Sequence, residues 1–158
     1  MTGQVTLERM YLKDASWESP KSPDVFAENW QPEIQVDINT RSNRLEEKRF
    51  EVVLTVTLRA KIDSGKTAFI VEIQQAGLFV LDGLEDEVLN RVLATVCPTT
   101  LFPYAREAVD NLVVKGGFPA LHLAPVNFEA LYAEAVRKQQ DSDQGGGASE
   151  GEENAVTH

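Results

Sequence analysis

The 158-residue sequence has one cysteine, Cys97, and two histidines, His122 and the terminal His158. A single cysteine cannot close an internal disulfide, which argues against a secreted, disulfide-stapled domain. One cysteine and one internal histidine are also too few for a structural zinc site, and the acidic residues lack the spacing of a calcium-binding loop, so no metal is expected. Basic residues are scarce as well, 15 Lys and Arg against 25 Asp and Glu, for a net charge of -10. Such a surface repels phosphate backbones and anionic lipid, so neither nucleic acid nor direct membrane binding is expected, and a basic protein partner suits it better. No apolar run approaches the ~18 residues of a membrane span, and the opening MTGQVTLERMYLKD lacks the apolar stretch of a signal peptide. The expectation is a cytoplasmic protein.

What remains is ordinary for one folded domain: 42% hydrophobic and 25% charged residues over a length that can bury a proper core. The acidic excess is uneven. Asp141, Asp143, Glu150, Glu152 and Glu153 lie in a glycine-rich end without Lys or Arg. Residues 1–139 are therefore expected to form the domain and 140–158 a disordered acidic tail.

Strands come first. PEIQVDINT alternates Ile34, Val36 and Ile38 with polar residues, and RFEVVLTVTLRAKI puts Phe50, Val52, Leu54, Val56, Leu58, Ala60 and Ile62 on one face. KTAFIVEIQQ turns Phe69, Val71 and Ile73 inward and Ile70 and Glu72 outward. The alternation slips in VTLERMYLKDASWE, which predicts a strand with a bulge. The period then lengthens. Leu84 to Val96 carries a helical stripe, with Asp82 and Glu85 spaced as a capping pair, and Pro98 is expected to stop or kink it. Pro103 suits the first turn of a further stretch ending at Lys115-Gly116-Gly117, and Asn127 suits the N-cap of a last helix. Strands followed by helices predict an α+β fold, an antiparallel sheet with helices on one face. Leu84 to Val113 spread apolar residues beyond one stripe, which points to burial between the sheet and a second copy.

Candidate chemistry is sparse. Cys97 has no base placed beside it and reads as a small core residue. Ser64-Gly65-Lys66-Thr67 resembles the end of a phosphate-binding loop, but the earlier glycine is replaced by Ala60 and the segment joins two strands, so a hairpin turn is expected and no nucleotide. The connector SPKSPDVFAENWQP, Ser19 to Pro32, is more informative, because a long loop with Val25, Phe26 and Trp30 is unlike a disordered segment. These side chains either plug the domain's own core or wall an apolar groove, joined by Leu121 from the second connector and Phe128, Leu131 and Tyr132 from the last helix.

In order and spacing, YLKDASWESP, WQPEIQVDINT, FEVVLTVTLRAKI, TAFIVEIQQAGLF, CPTTLFPYARE and GGFPALHLAPVNFEALY resemble the bacterial protein-export chaperone family SecB, from about Thr6 to Val136. The resemblance implies a four-stranded antiparallel sheet with a long bent helix and a C-terminal helix packed on one face, assembled as a homotetramer, a dimer of dimers. It implies a cytosolic, ATP-independent chaperone, not an enzyme and without a cofactor, that holds unfolded precursor proteins translocation-competent and delivers them to the motor ATPase SecA. It further implies a client-binding groove and a SecA-binding face on the sheet, the latter at Asp14, Glu18, Ile70 and Glu72. Two rivals differ in class or in range: a small oligomeric thioester hydrolase using Glu107 or Asp110, and a chaperone devoted to one toxin–antitoxin pair.

Overall fold

The computed structural model describes residues 3–63 and 65–143 in full and the backbone of 144–156. Four strands form one antiparallel sheet: β1 (Gln4–Glu18), β2 (Glu33–Arg44), β3 (Arg49–Lys61) and β4 (Thr67–Asp82). Their order is β1-β4-β3-β2, so the two most apolar strands are central and the two most polar lie at the edges. The helices α1 (Asp86–Ala94) and α2 (Val96–Lys115) follow, with α2 packed on β4 and β3. The chain divides into two compact units at Val126 and Asn127, and the second contains α3 (Phe128–Val156).

The inward residues of β3 and β4 form the core as the alternation predicts. Val52, Leu54, Val56, Leu58, Ala60, Phe69, Val71 and Ile73 are fully buried. The irregular first strand carries register shifts between Leu7 and Arg9 and between Leu12 and Asp14, the bulges its broken alternation called for. The edge strand β2 departs from expectation. Val36, on the inward face, is 42% exposed, because α2 covers β3 and β4 and not β2.

The helices also differ from the sequence reading, in their boundaries. The helical run breaks at Thr95 (φ -125°, ψ -65°), not at Pro98, which sits in the first turn of α2 where its missing N–H has no partner to lose. Thr95 Oγ1 donates to Arg91 O (2.7 Å), a side-chain bond that competes with the helix ladder at the break. Pro103 lies inside α2 and does not begin it. The carbonyl it leaves unpaired belongs to exposed Thr99, so the helix continues at low cost. Asp82 and Glu85 form no capping pair: Glu85 is the N-cap without a side-chain bond, and Asp82 pairs with Lys48 at 3.2 Å. The N-cap expected of Asn127 does form, its Oδ1 accepting from Ala130 N–H at 3.0 Å. The expected disordered tail, 140–158, lies for the most part outside the residues described in full; the helix assignment of α3 extends to Val156.

Candidate functional site

The C-terminus of α2 builds an aromatic pocket by bringing backbone unusually close to rings. Gly116 N–H donates to Leu112 O (2.8 Å), Gly117 N–H to Val114 O (3.0 Å) and Phe118 N–H to Val113 O (3.1 Å), so the helix closes on a left-handed turn at Gly117, φ +91°. A β-carbon on Gly116 would lie 2.0 Å from Trp17, and one on Gly117 would lie 3.0 Å from Phe26. Gly116 is thus required by close approach and Gly117 by its backbone angle. The turn delivers Phe118 into a cluster. Its ring centroid lies 4.9 Å from Trp30, 5.1 Å from Phe69, 5.2 Å from Phe26 and 6.0 Å from Trp17, and Trp17 stacks on Phe69 at 4.9 Å.

The other wall comes from the first connector, which contains a short 3-10 helix, Asp24–Ala27. Val25 is its anchor, 4% exposed, whereas its neighbour Phe26 leaves half of its surface in solvent at 50%. Between connector and turn lies a shallow pocket of about 200 Å³, lined by Val25, Phe26, Glu28, Trp30, Gly117, Phe118 and Pro119. The two readings of this connector therefore divide by residue: Val25 plugs the core, and Phe26 and Trp30 wall a pocket. An apolar concavity rimmed by one carboxylate can take a large apolar side chain from another chain, and its ring faces favour aromatic partners.

Of the residues nominated from sequence, Val25, Phe26 and Trp30 come together here. Leu121 does not line this pocket; it is half-buried in the second connector, where its N–H donates to Asp110 Oδ1 at 3.0 Å. Phe128, Leu131 and Tyr132 lie on α3, in the second unit. Trp17, Phe69 and Phe118 are the members that sequence reasoning missed. The signal for Phe118 was present in Gly116-Gly117-Phe118, two glycines at a helix end followed directly by a ring.

The opposite face of the sheet is polar at one end. Pairing sets Glu18 opposite Ile70 and Ile70 opposite Arg59; the next row on this face is Ser16, Glu72, Thr57 and Asp37, and the next Asp14, Gln74, Thr55 and Asn39. Residues directly opposite in a ladder share a face, so Asp14, Glu18, Ile70 and Glu72 share one. Thr57 Oγ1 donates to Glu72 Oε1 at 3.0 Å, which orients that carboxylate. Further along the same face Tyr11 donates its hydroxyl to Glu51, and Lys13 Nζ lies 2.8 Å from the same carboxylate. Hydrogen bonds from Lys13 and Tyr11 hold Glu51 below the usual carboxylate range. Burial, the Glu51 bond and its charge push Tyr11 up to about 12.

The remaining candidates sort by burial. Cys97 is fully buried, and that burial pushes its thiol up to about 12, which suits packing and not nucleophilic attack. The His122 side chain, 83% exposed, lies with Nδ1 3.5 Å from Asp110 Oδ2. Gly65 (φ +77°) donates its N–H to Ile62 O at 2.8 Å in the hairpin joining β3 to β4, as expected of that segment; Ser64 lies outside the described residues. Among the described residues no helix is long and apolar enough to cross a membrane.

Residues 1–139 match the family described as SecB, preprotein translocase subunit SecB. The chain is 54% identical over 134 residues to a protein-export protein SecB of Hahella chejuensis, covering 85% of this chain and 84% of the relative. It is 52% identical over 139 residues to the protein of that name in Pseudomonas paraeruginosa, covering 88% and 85%. In fold it is similar to a SecB-like chaperone of Mycobacterium tuberculosis solved with a peptide from an antitoxin, with a TM-score of 0.61, 21% identity, and coverage of 78% of this chain and 91% of that one.

Proposed function

Because the chain belongs to the SecB family of protein-export chaperones, we propose that it holds unfolded precursors through the aromatic pocket and hands them to SecA across the polar face of its sheet. The observation that carries the holding role is Phe26, half exposed above a cluster of four further rings. A folded protein hides its apolar side chains and an unfolded one does not, so such a pocket selects for foldedness and not for a sequence. In this reading Leu121, and Phe128, Leu131 and Tyr132 on α3, also contact clients.

Holding and release need no covalent chemistry, so the protein works without nucleotide or cofactor. Assembly as a homotetramer, a dimer of dimers, would place several pockets within reach of one long client and add avidity. Exposed Val5, Leu7 and Leu12 on the edge strand β1, and exposed Val96, Tyr104 and Val114 on α2, support apolar contacts between copies. Its place of action is the cytoplasm, where precursors wait for export. Delivery rests on Asp14, Glu18, Ile70 and Glu72: carboxylates round an apolar side chain suit a basic, mobile segment of the motor.

Two variants separate the roles. Phe26→Ser with Trp30→Ser should lose binding of unfolded precursor while the assembled mass stays constant; collapse to unfolded monomers would show that these rings are core. Glu72→Lys should abolish SecA binding and keep precursor binding, and unchanged affinity for SecA would remove Glu72 from the docking face.

A further inference from the structure

The second connector, Pro119 to Val126, leaves the helix turn directly beside the pocket and belongs to no strand or helix. Among the described residues, its hydrogen bonds to the rest of the first unit are two donations from its backbone to one side chain. Asp110, on α2, accepts with Oδ1 from Leu121 N–H at 3.0 Å and from His122 N–H at 3.3 Å. Its Oδ2 lies 3.5 Å from His122 Nδ1, and the carboxylate is 19% exposed. His122 takes φ +49°, a left-handed angle that a residue with a β-carbon rarely adopts. Something must hold it there, and a carboxylate accepting two adjacent N–H groups is a strong local restraint.

The consequence reaches the pocket through three residues. Phe118 is 5% exposed at the centre of the ring cluster, Pro119 lines the pocket wall, and Ala120 links that wall to the Leu121–His122 clamp. Pro119 cannot donate a backbone hydrogen bond, so the clamp is the first anchor after the helix turn. We propose that Asp110 is a positioning residue for client binding: by clamping Leu121 and His122 it fixes the wall formed by Phe118 and Pro119, so that the pocket stands open before a client arrives. Preformed walls spare the ordering cost that a loose connector would add to each binding event. The inference rests on the aromatic pocket being the client site.

The test compares Asp110→Ala with Asp110→Asn in the full chain. Asn keeps one carbonyl oxygen that can accept both N–H groups, and Ala keeps none. The probe is a fluorescent peptide with one aromatic anchor, too short to reach a second pocket. Asp110→Ala should weaken it about 10-fold, shift the emission of Trp17 and Trp30, and leave the assembled mass unchanged. Asp110→Asn should return the affinity to within about 2-fold of the parent. Wild-type affinity in Asp110→Ala, or a defect in Asp110→Asn as large as in Asp110→Ala, would overturn the proposal. If Asp110→Ala does not fold, amide exchange in the parent chain decides: Leu121 and His122 should exchange at least about 10-fold more slowly than Ala120 and Leu123, and equal rates would overturn it. Phe26→Ser with Trp30→Ser is the control for the premise. If that pair binds normally the pocket is not the client site, whereas normal binding in Asp110→Ala alone refutes only the clamp.

Discussion

Replacing Phe26 by alanine should weaken client binding at one pocket about 5-fold and cost the fold little. Full burial of a phenylalanine side chain stabilises by ~1.5–3 kcal/mol. Phe26 is 50% exposed, so roughly half of that, about 1 kcal/mol, is realised in the free chain, and about 1 kcal/mol more is gained when a client covers the ring. At ~1.4 kcal/mol per tenfold change, the second half corresponds to about a 5-fold rise in Kd. The first half, with a small cavity term, predicts a stability loss of about 1–2 kcal/mol and a Tm lower by a few degrees. The assay must use a short single-anchor peptide, because avidity would multiply the effect for a full-length client. Fluorescence anisotropy gives Kd and calorimetry gives Tm. An unchanged Kd would refute the groove role of Phe26, and a stability loss above about 3 kcal/mol would show it to be core.

Three further outcomes follow from local geometry. Gly116→Ala places a β-carbon 2.0 Å from the Trp17 ring, so it should destabilise by ~1–3 kcal/mol and shift tryptophan emission, read by denaturant melts. Cys97, with its thiol near 12, should be thiolate in on the order of one molecule in 10⁴ at pH 8, and a thiol reagent should label it only after denaturation. Tyr11 and Glu51 set opposite pH limits. Glu51 is held below its ordinary value of 4.5, so its stabilisation is present above that pH and fades as pH falls through the lowered value; Tyr11, raised from 10.0 to about 12, stabilises below pH 10 and loses this between about 10 and 12. Tyr11→Phe should flatten the alkaline loss in a Tm-versus-pH series, and an unaltered alkaline limb would deny the pairing.

The central strands were legible because both of their neighbours are strands and their inward face is fully buried, so burial follows side-chain alternation from Leu54 to Ala60. Val36 obeys the same alternation on an edge strand away from the packing of α2 on β3 and β4, and sequence period cannot report what lies above a face. The helix break was misplaced because proline was weighted over threonine. Pro98 falls where its lost donor is harmless, and Thr95 satisfies Arg91 O with its own hydroxyl. The pocket was half legible: the aromatic connector announced Phe26 and Trp30, but Phe69 read simply as an inward strand residue and the irregular alternation of the first strand assigned Trp17 no face. Their meeting with Phe118 depends on two glycines at a helix end, a tertiary approach that local pattern does not encode. On the sheet face, alternation alone read Ile70 and Glu72 as outward, whereas the sharing of that face by Asp14 and Glu18 follows from the pairing of β1 with β4, which sequence period does not report.

The most direct test of the holding role is tryptophan fluorescence of the intact protein, without ATP, titrated with one secretory precursor kept unfolded and again with the same precursor folded. Trp17 and Trp30 stand in the ring cluster, so client entry should change their emission. A saturable response to the unfolded form alone is the predicted result. Equal binding of the folded form, or no response to either by a well-folded assembly, would contradict it.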